Sequence, residues 1–129
     1  MRYFKIGLIV LCLGISAAAC AHNKVLPVHD EVLIYKLPFD LTYLRAEEAL
    51  ERVEGWELQM TEKEKGLIVI RNTNYSSFSD ADKRNATFLV KRVGPKETSV
   101  ELAPQSQSVL GGGDLLRKIA KYLDRELNK

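Results

Sequence analysis

The apolar residues of this chain switch between strand and helix periods along its length, and those switches fix the class of fold open to it. Leu41, Tyr43, Leu44, Ala46, Ala49, Leu50 and Val53 recur at helical spacing, with Arg45, Glu47, Glu48, Glu51 and Arg52 on the other face. From Trp56 to Ala103 the pattern is that of short strands. Helical spacing then returns in Leu115, Leu116, Ile119, Ala120, Leu123 and Leu127, with Lys118, Lys121 and Arg125 off the stripe. Each stripe must bury its apolar side against another element, and a sheet lying between two helices in sequence supplies the partner.

The strands follow from alternation and turn chemistry. Glu31 to Leu37 is rich in β-branched and aromatic residues, and Pro38 ends it. Trp56, Leu58 and Met60 fall on one side of the next strand, and Glu57, Gln59 and Thr61 on the other. Glu62 to Gly66 is a charged turn in which Gly66 can take positive φ. The unbroken apolar start of Leu67 to Asn72 predicts an interior strand. Asn85 to Val93 and Thr98 to Ala103 form the last pair across Gly94-Pro95, with Ala86, Phe88, Val90, Val100 and Leu102 facing one core. Asp40 and Asp114 are placed to cap the two helices, and Gly55 to stop the first. The expected order is β-α-β-β-β-β-α: an α+β domain with an antiparallel β-sheet and two helices on one face. Its other face, with Glu57, Gln59, Thr61, Thr87 and Lys91, is suited to water.

Ahead of this pattern stands a different kind of segment. Arg2 and Lys5 are followed by the uncharged, mostly apolar run Ile6 to Ala19, which ends in three alanines before Cys20. A basic start, an apolar middle and small residues at the cut mark a secretory signal peptide. The run is shorter than a bilayer-spanning helix and gives way to His22, Asn23 and Lys24. The Ala17-Ala18-Ala19-Cys20 stretch resembles the lipobox of bacterial lipoproteins. That resemblance implies an acylated Cys20 at the head of the mature chain, held at the membrane by fatty chains such as palmitate. It also implies an outer-membrane destination, because Ala21, rather than aspartate, follows the cysteine. The same alanines read as an ordinary cleavage site, which would leave Cys20 as a free thiol.

Removing residues 1–19 leaves 110 residues, enough for one core. Arg2 and Lys5 leave with them, so Lys plus Arg falls from 19 to 17 and matches the 17 Asp plus Glu. A neutral, evenly mixed chain offers no clustered basic face for nucleic acid. Cys12 is also lost, so no intrachain disulfide can form and the core alone must hold the fold. Residues 20–30 read as a lipidated cysteine and tether, and 31–129 as the domain. The element order resembles the helix-grip modules of small envelope lipoproteins, which implies an accessory role and no particular binding residues.

No catalytic set emerges. The two histidines, His22 and His29, both fall in the tether, where a solvated linker role is expected. The serines at 76, 77, 79, 106 and 108 show no S-x-x-K arrangement. Glu48 and Arg52 read as an i,i+4 pair. Asp80 and Asp82 lack the remaining positions of a calcium loop. Gly111, Gly112 and Gly113 precede Asp114, whose charge opposes a phosphate, and these glycines are read as a hinge candidate. The loop carrying Tyr75, Phe78, Asp80 and Asp82 is either a partner-binding surface or a lid on the core. No cofactor or metal is expected. The expected function is a non-enzymatic interaction module in the cell envelope, anchored through Cys20 to the periplasmic side of the outer membrane and docking another envelope protein. The alternative is a carrier holding a lipid or other apolar ligand between the sheet and the last helix.

Overall fold

The computed structural model describes residues 28–74 and 84–129. Strand β1 (Leu33–Tyr35) leads into helix α1 (Phe39–Glu51), followed by strands β2 (Trp56–Glu62), β3 (Leu67–Asn72), β4 (Asn85–Gly94) and β5 (Glu97–Leu102) and by helix α2 (Gly112–Leu127). Single 3-10 turns occupy Lys63–Lys65 and Pro104–Ser106. The sheet runs β1-β5-β4-β3-β2 with every pair antiparallel. Helix α1 therefore carries the chain from one edge of the sheet to the other. The α+β class and the element order are those expected, and β3 is interior.

Register explains why one face is dry. Phe88 lies between Ile68 and Leu102, Ile70 opposite Ala86, and Val90 opposite Val100. Ile68, Ile70, Ala86, Phe88 and Val100 are fully buried, as are Ala46 and Leu50 of α1 and Ile119 and Leu123 of α2. At roughly 1.5–3 kcal/mol for each large side chain withdrawn from water, this layer supplies the main favourable term for folding. Two buried threonines add polar fasteners. Thr42 Oγ1 donates to the Pro38 carbonyl at 2.9 Å, and Thr98 Oγ1 to the Leu37 carbonyl at 2.8 Å.

Several local expectations are corrected. β1 spans three residues rather than Glu31 to Leu37. Helix α1 starts one residue before Asp40 with Pro38 at its cap position, and α2 starts two residues before Asp114 with Gly111 there. Neither aspartate makes a capping bond. Gly55 does take positive φ, 86°, but beyond a helix that ends at Glu51. Leu44 and Leu127 are about half exposed instead of buried in their stripes. Glu48 pairs with Arg45 at 2.7 Å, not with Arg52. Arg45 also reaches Glu126 at 2.6 Å and so ties α1 to the end of α2.

The largest correction lies in β2. Leu58 is opposite Ile70, but Met60 is opposite Val69, so one extra residue is accommodated between them. A bulge of this kind reverses the facing of everything beyond it. Met60 therefore turns to the open face, 43% exposed, and Thr61 joins the helix side opposite Ile68.

His29 is not a solvated linker residue either. Its backbone N–H donates to the Gln107 carbonyl at 2.8 Å, and its side chain is only 23% exposed. The imidazole packs over the start of α2, where a Cβ on Gly113 would lie 2.7 Å from it. The docked chain thus begins two residues before the expected Glu31 boundary.

Candidate functional site

The two ends of the sheet differ. One end gathers His29, the finish of β5 and the first turn of α2. The other gathers the Lys63–Gly66 turn, the β4–β5 turn and the start of α1, because each neighbouring strand runs the opposite way. At this second end the strands are unequal. β3 finishes its pairing with Leu67 opposite Leu89, while β4 continues against β5 to Gly94. The overhang of β4 beyond β3 leaves a notch.

Gly66 shapes one wall of that notch. It holds φ at 65°, and its carbonyl accepts the Val90 N–H at 2.7 Å. A Cβ at this position would stand 1.9 Å from the Val90 carbonyl oxygen, so only glycine lets the turn lie against β4. Phe39, Lys63, Lys65, Val90 and Arg92 complete a cleft of about 710 Å3. Across the Asp40–Lys63 ion pair (3.1 Å) lies a second hollow of about 470 Å3, lined by Leu41, Tyr43, Leu44, Glu47 and Thr61. Tyr43 is fixed there by donating its hydroxyl proton to the Leu67 carbonyl at 2.8 Å. Burial, helped by the nearby Glu47 and Glu62 carboxylates, raises its pKa above the ordinary tyrosine value.

The cleft is cationic in a specific way. Lys65 is paired with Glu62 at 3.1 Å and Lys91 with Glu101 at 2.5 Å. The Arg92 guanidinium instead lies over Phe39, its carbon 5.0 Å from the ring centroid. Among the described residues no carboxylate forms an ion pair with it. A cation–π contact of this kind holds the guanidinium at the ring while leaving N–H groups available to an anion. The arrangement can hold and orient a negatively charged group beside an apolar surface.

Cys20 and the loop residues Tyr75, Phe78, Asp80 and Asp82 lie outside the described residues. Gly112 and Gly113 are buried in the first turn of α2, against Leu102 and His29, and Gly111 precedes them with φ 84°. These glycines sit at the end of the sheet away from the cleft. Sequence reasoning missed Phe39, Lys63, Lys65 and Arg92 as one group. A signal existed for Arg92, which continues the inward phase of Ala86, Phe88 and Val90 and is therefore a charge at a core-facing position.

Among the described residues, no three His, Cys, Asp or Glu side chains are grouped to hold a metal ion, and no helix is long and apolar enough to cross a membrane. Neither a scan against protein-family models nor a search of curated proteins found a match to this chain.

Proposed function

We propose that this chain is a non-enzymatic lipoprotein of the bacterial cell envelope, held by acylated Cys20 on the periplasmic face of the outer membrane, and that its domain docks another envelope protein. The signal region ending in Ala17-Ala18-Ala19-Cys20 supports the anchor, and Ala21 supports the outer-membrane assignment through the lipoprotein resemblance.

The structural observation that carries the reading is the polarity of the domain. The chain enters at His29, docked at one end of the sheet, and the cationic cleft lies at the other. The His29 seat lies beside Leu102, opposite Phe88, and the cleft is lined by β4 from Val90 to Arg92, so the two sit toward opposite ends of the sheet. From Cys20 to His29 an extended chain covers at most roughly 30 Å, which clears the headgroups and keeps the domain close to the bilayer. Among the described residues the space the apolar-carrier alternative needs is occupied: Leu115, Leu116, Ile119 and Leu123 pack in one core with Val100 and Leu102, and the two clefts described above lie elsewhere.

Metabolic labelling with a palmitate analogue tests the anchor. Wild type should label and fractionate with membranes, and Cys20→Ser should do neither. An unlabelled, freely soluble wild type overturns the reading.

A further inference from the structure

We infer that the cleft between the Lys63–Gly66 turn and the β4 overhang is a docking site for an extended acidic peptide segment of a partner protein. This deepens the interaction-module reading and rests on it. Three observations select the occupant. The first is charge: Lys63, Lys65, Lys91 and Arg92 line the cleft, ion pairs to Asp40, Glu62 and Glu101 take up the three lysines, and Arg92 alone of the four cations has no ion-pair partner among the described residues. A guanidinium is the side chain best built to take a carboxylate in a two-pronged hydrogen bond.

The second observation is the backbone. The Val90 N–H points toward β3 and bonds to Gly66. Strand groups alternate their direction every residue, so Arg92, two residues on and the last before the register shift of β4 against β5, turns its N–H to the same side. β3 has already ended there, its last pair being Leu67 with Leu89. A main-chain N–H beside the charged side chain gives an extended peptide a second point of attachment along β4.

The third observation is the adjoining hollow. It shares Asp40 and Lys63 with the cleft and exposes Leu44 at 48% beside Leu41 and Tyr43, ready for an apolar side chain near the acidic one. A lipid surface fits less well, because the cleft lies at the end of the domain opposite the chain entry.

The test uses the full-length protein in detergent micelles and a rhodamine-labelled decapeptide alternating leucine with glutamate, compared by anisotropy with its leucine–glutamine counterpart. The glutamate peptide should bind about tenfold or more tighter, and its advantage should shrink as salt rises from about 50 to about 500 mM. Arg92→Glu should weaken it by about tenfold, Arg92→Lys should recover part of the loss, and the exposed Lys118→Glu on α2 should change nothing. Circular dichroism checks the fold of each variant. If Arg92→Glu does not fold, Lys65→Glu on the opposite wall carries the same expectation. Equal binding of the two peptides overturns the inference, as does undiminished binding by folded Arg92→Glu. So does Arg92-dependent binding of inorganic phosphate, or of phosphatidylglycerol vesicles, without binding of the peptide. The anchor is tested separately: Cys20→Ser should bind the glutamate peptide as wild type does, so failure of the peptide assay leaves the labelling result standing, and the converse holds.

Discussion

Replacing Gly66 with alanine should be among the costliest single-methyl additions this domain can receive. The residue sits at φ 65°, where a side-chain-bearing residue pays about 1–2 kcal/mol. The new Cβ would also fall 1.9 Å from the Val90 carbonyl oxygen, and the obstacle is backbone in an interior strand pair rather than a yielding side chain. Relieving the clash means parting the Val90 N–H from the Gly66 carbonyl, now 2.7 Å apart, at a further cost of about 1 kcal/mol. The stiffer unfolded chain returns roughly 0.4–1 kcal/mol. A net loss of about 1–2.5 kcal/mol is expected from these terms, which for a domain of this size lowers the melting temperature by roughly 5–15 °C. Urea unfolding monitored by Trp56 fluorescence measures it directly. Gly94→Ala is the control. Its Cβ would meet only the Glu97 side chain, whose nearest atom lies at 3.4 Å, and the change should stay within about 0.5 kcal/mol. A Gly66→Ala cost below about 1 kcal/mol, or an equal cost at Gly94, would refute the close-approach argument.

Two further perturbations probe other joints. In Gly113→Ala the added methyl would sit 2.7 Å from the His29 ring, a side chain able to move, so His29 should leave its seat while the core stays intact. Hydrogen exchange should then show the His29 amide, now bonded to Gln107, losing protection by about tenfold while the Phe88 amide keeps its own; unchanged protection at His29 would contradict the docking. Tyr35 offers a pH test. Burial, and after it the Asp124 carboxylate, pushes its pKa from 10.0 up to about 12. The unfolded chain therefore releases this proton first, so the contribution is complete below pH 10 and is lost as pH rises toward 12. Tyr35→Phe should lose less stability than wild type between about pH 9 and about pH 11 in urea melts; equal losses would assign the alkaline sensitivity elsewhere.

The elements were legible because each carries its own period. The α2 stripe of Leu115, Leu116, Ile119 and Leu123 and the inward set of Ala86, Phe88 and Val90 can be read without knowing what they touch. The cap positions were not, since Asp40 and Asp114 suit a helix start equally well one to three residues inside it, where an acid still meets the favourable end of the dipole. The β2 bulge was invisible for a different reason. Trp56, Leu58 and Met60 alternate without a break, and the reversal at Met60 is set by pairing with β3 across the sheet. The cleft lay further out of reach, because it arises from the unequal ends of β3 and β4, a relation between strands that no local pattern records. Docked His29 belongs to the same group: its seat exists only because Gly112 and Gly113, distant in sequence, leave space above α2.

The pairing of β1 with β5 brings Leu33 against Val100, so the strand that emerges first from any synthesis or export channel waits for nearly the last. Until that late partner arrives, Leu33 and Tyr35 have no neighbour to complete their ladder, and loop-closure entropy weighs against any early substitute. A polypeptide with this wiring can pair β2, β3 and β4 as they are made, but its sheet is completed only once β5 is present for β1.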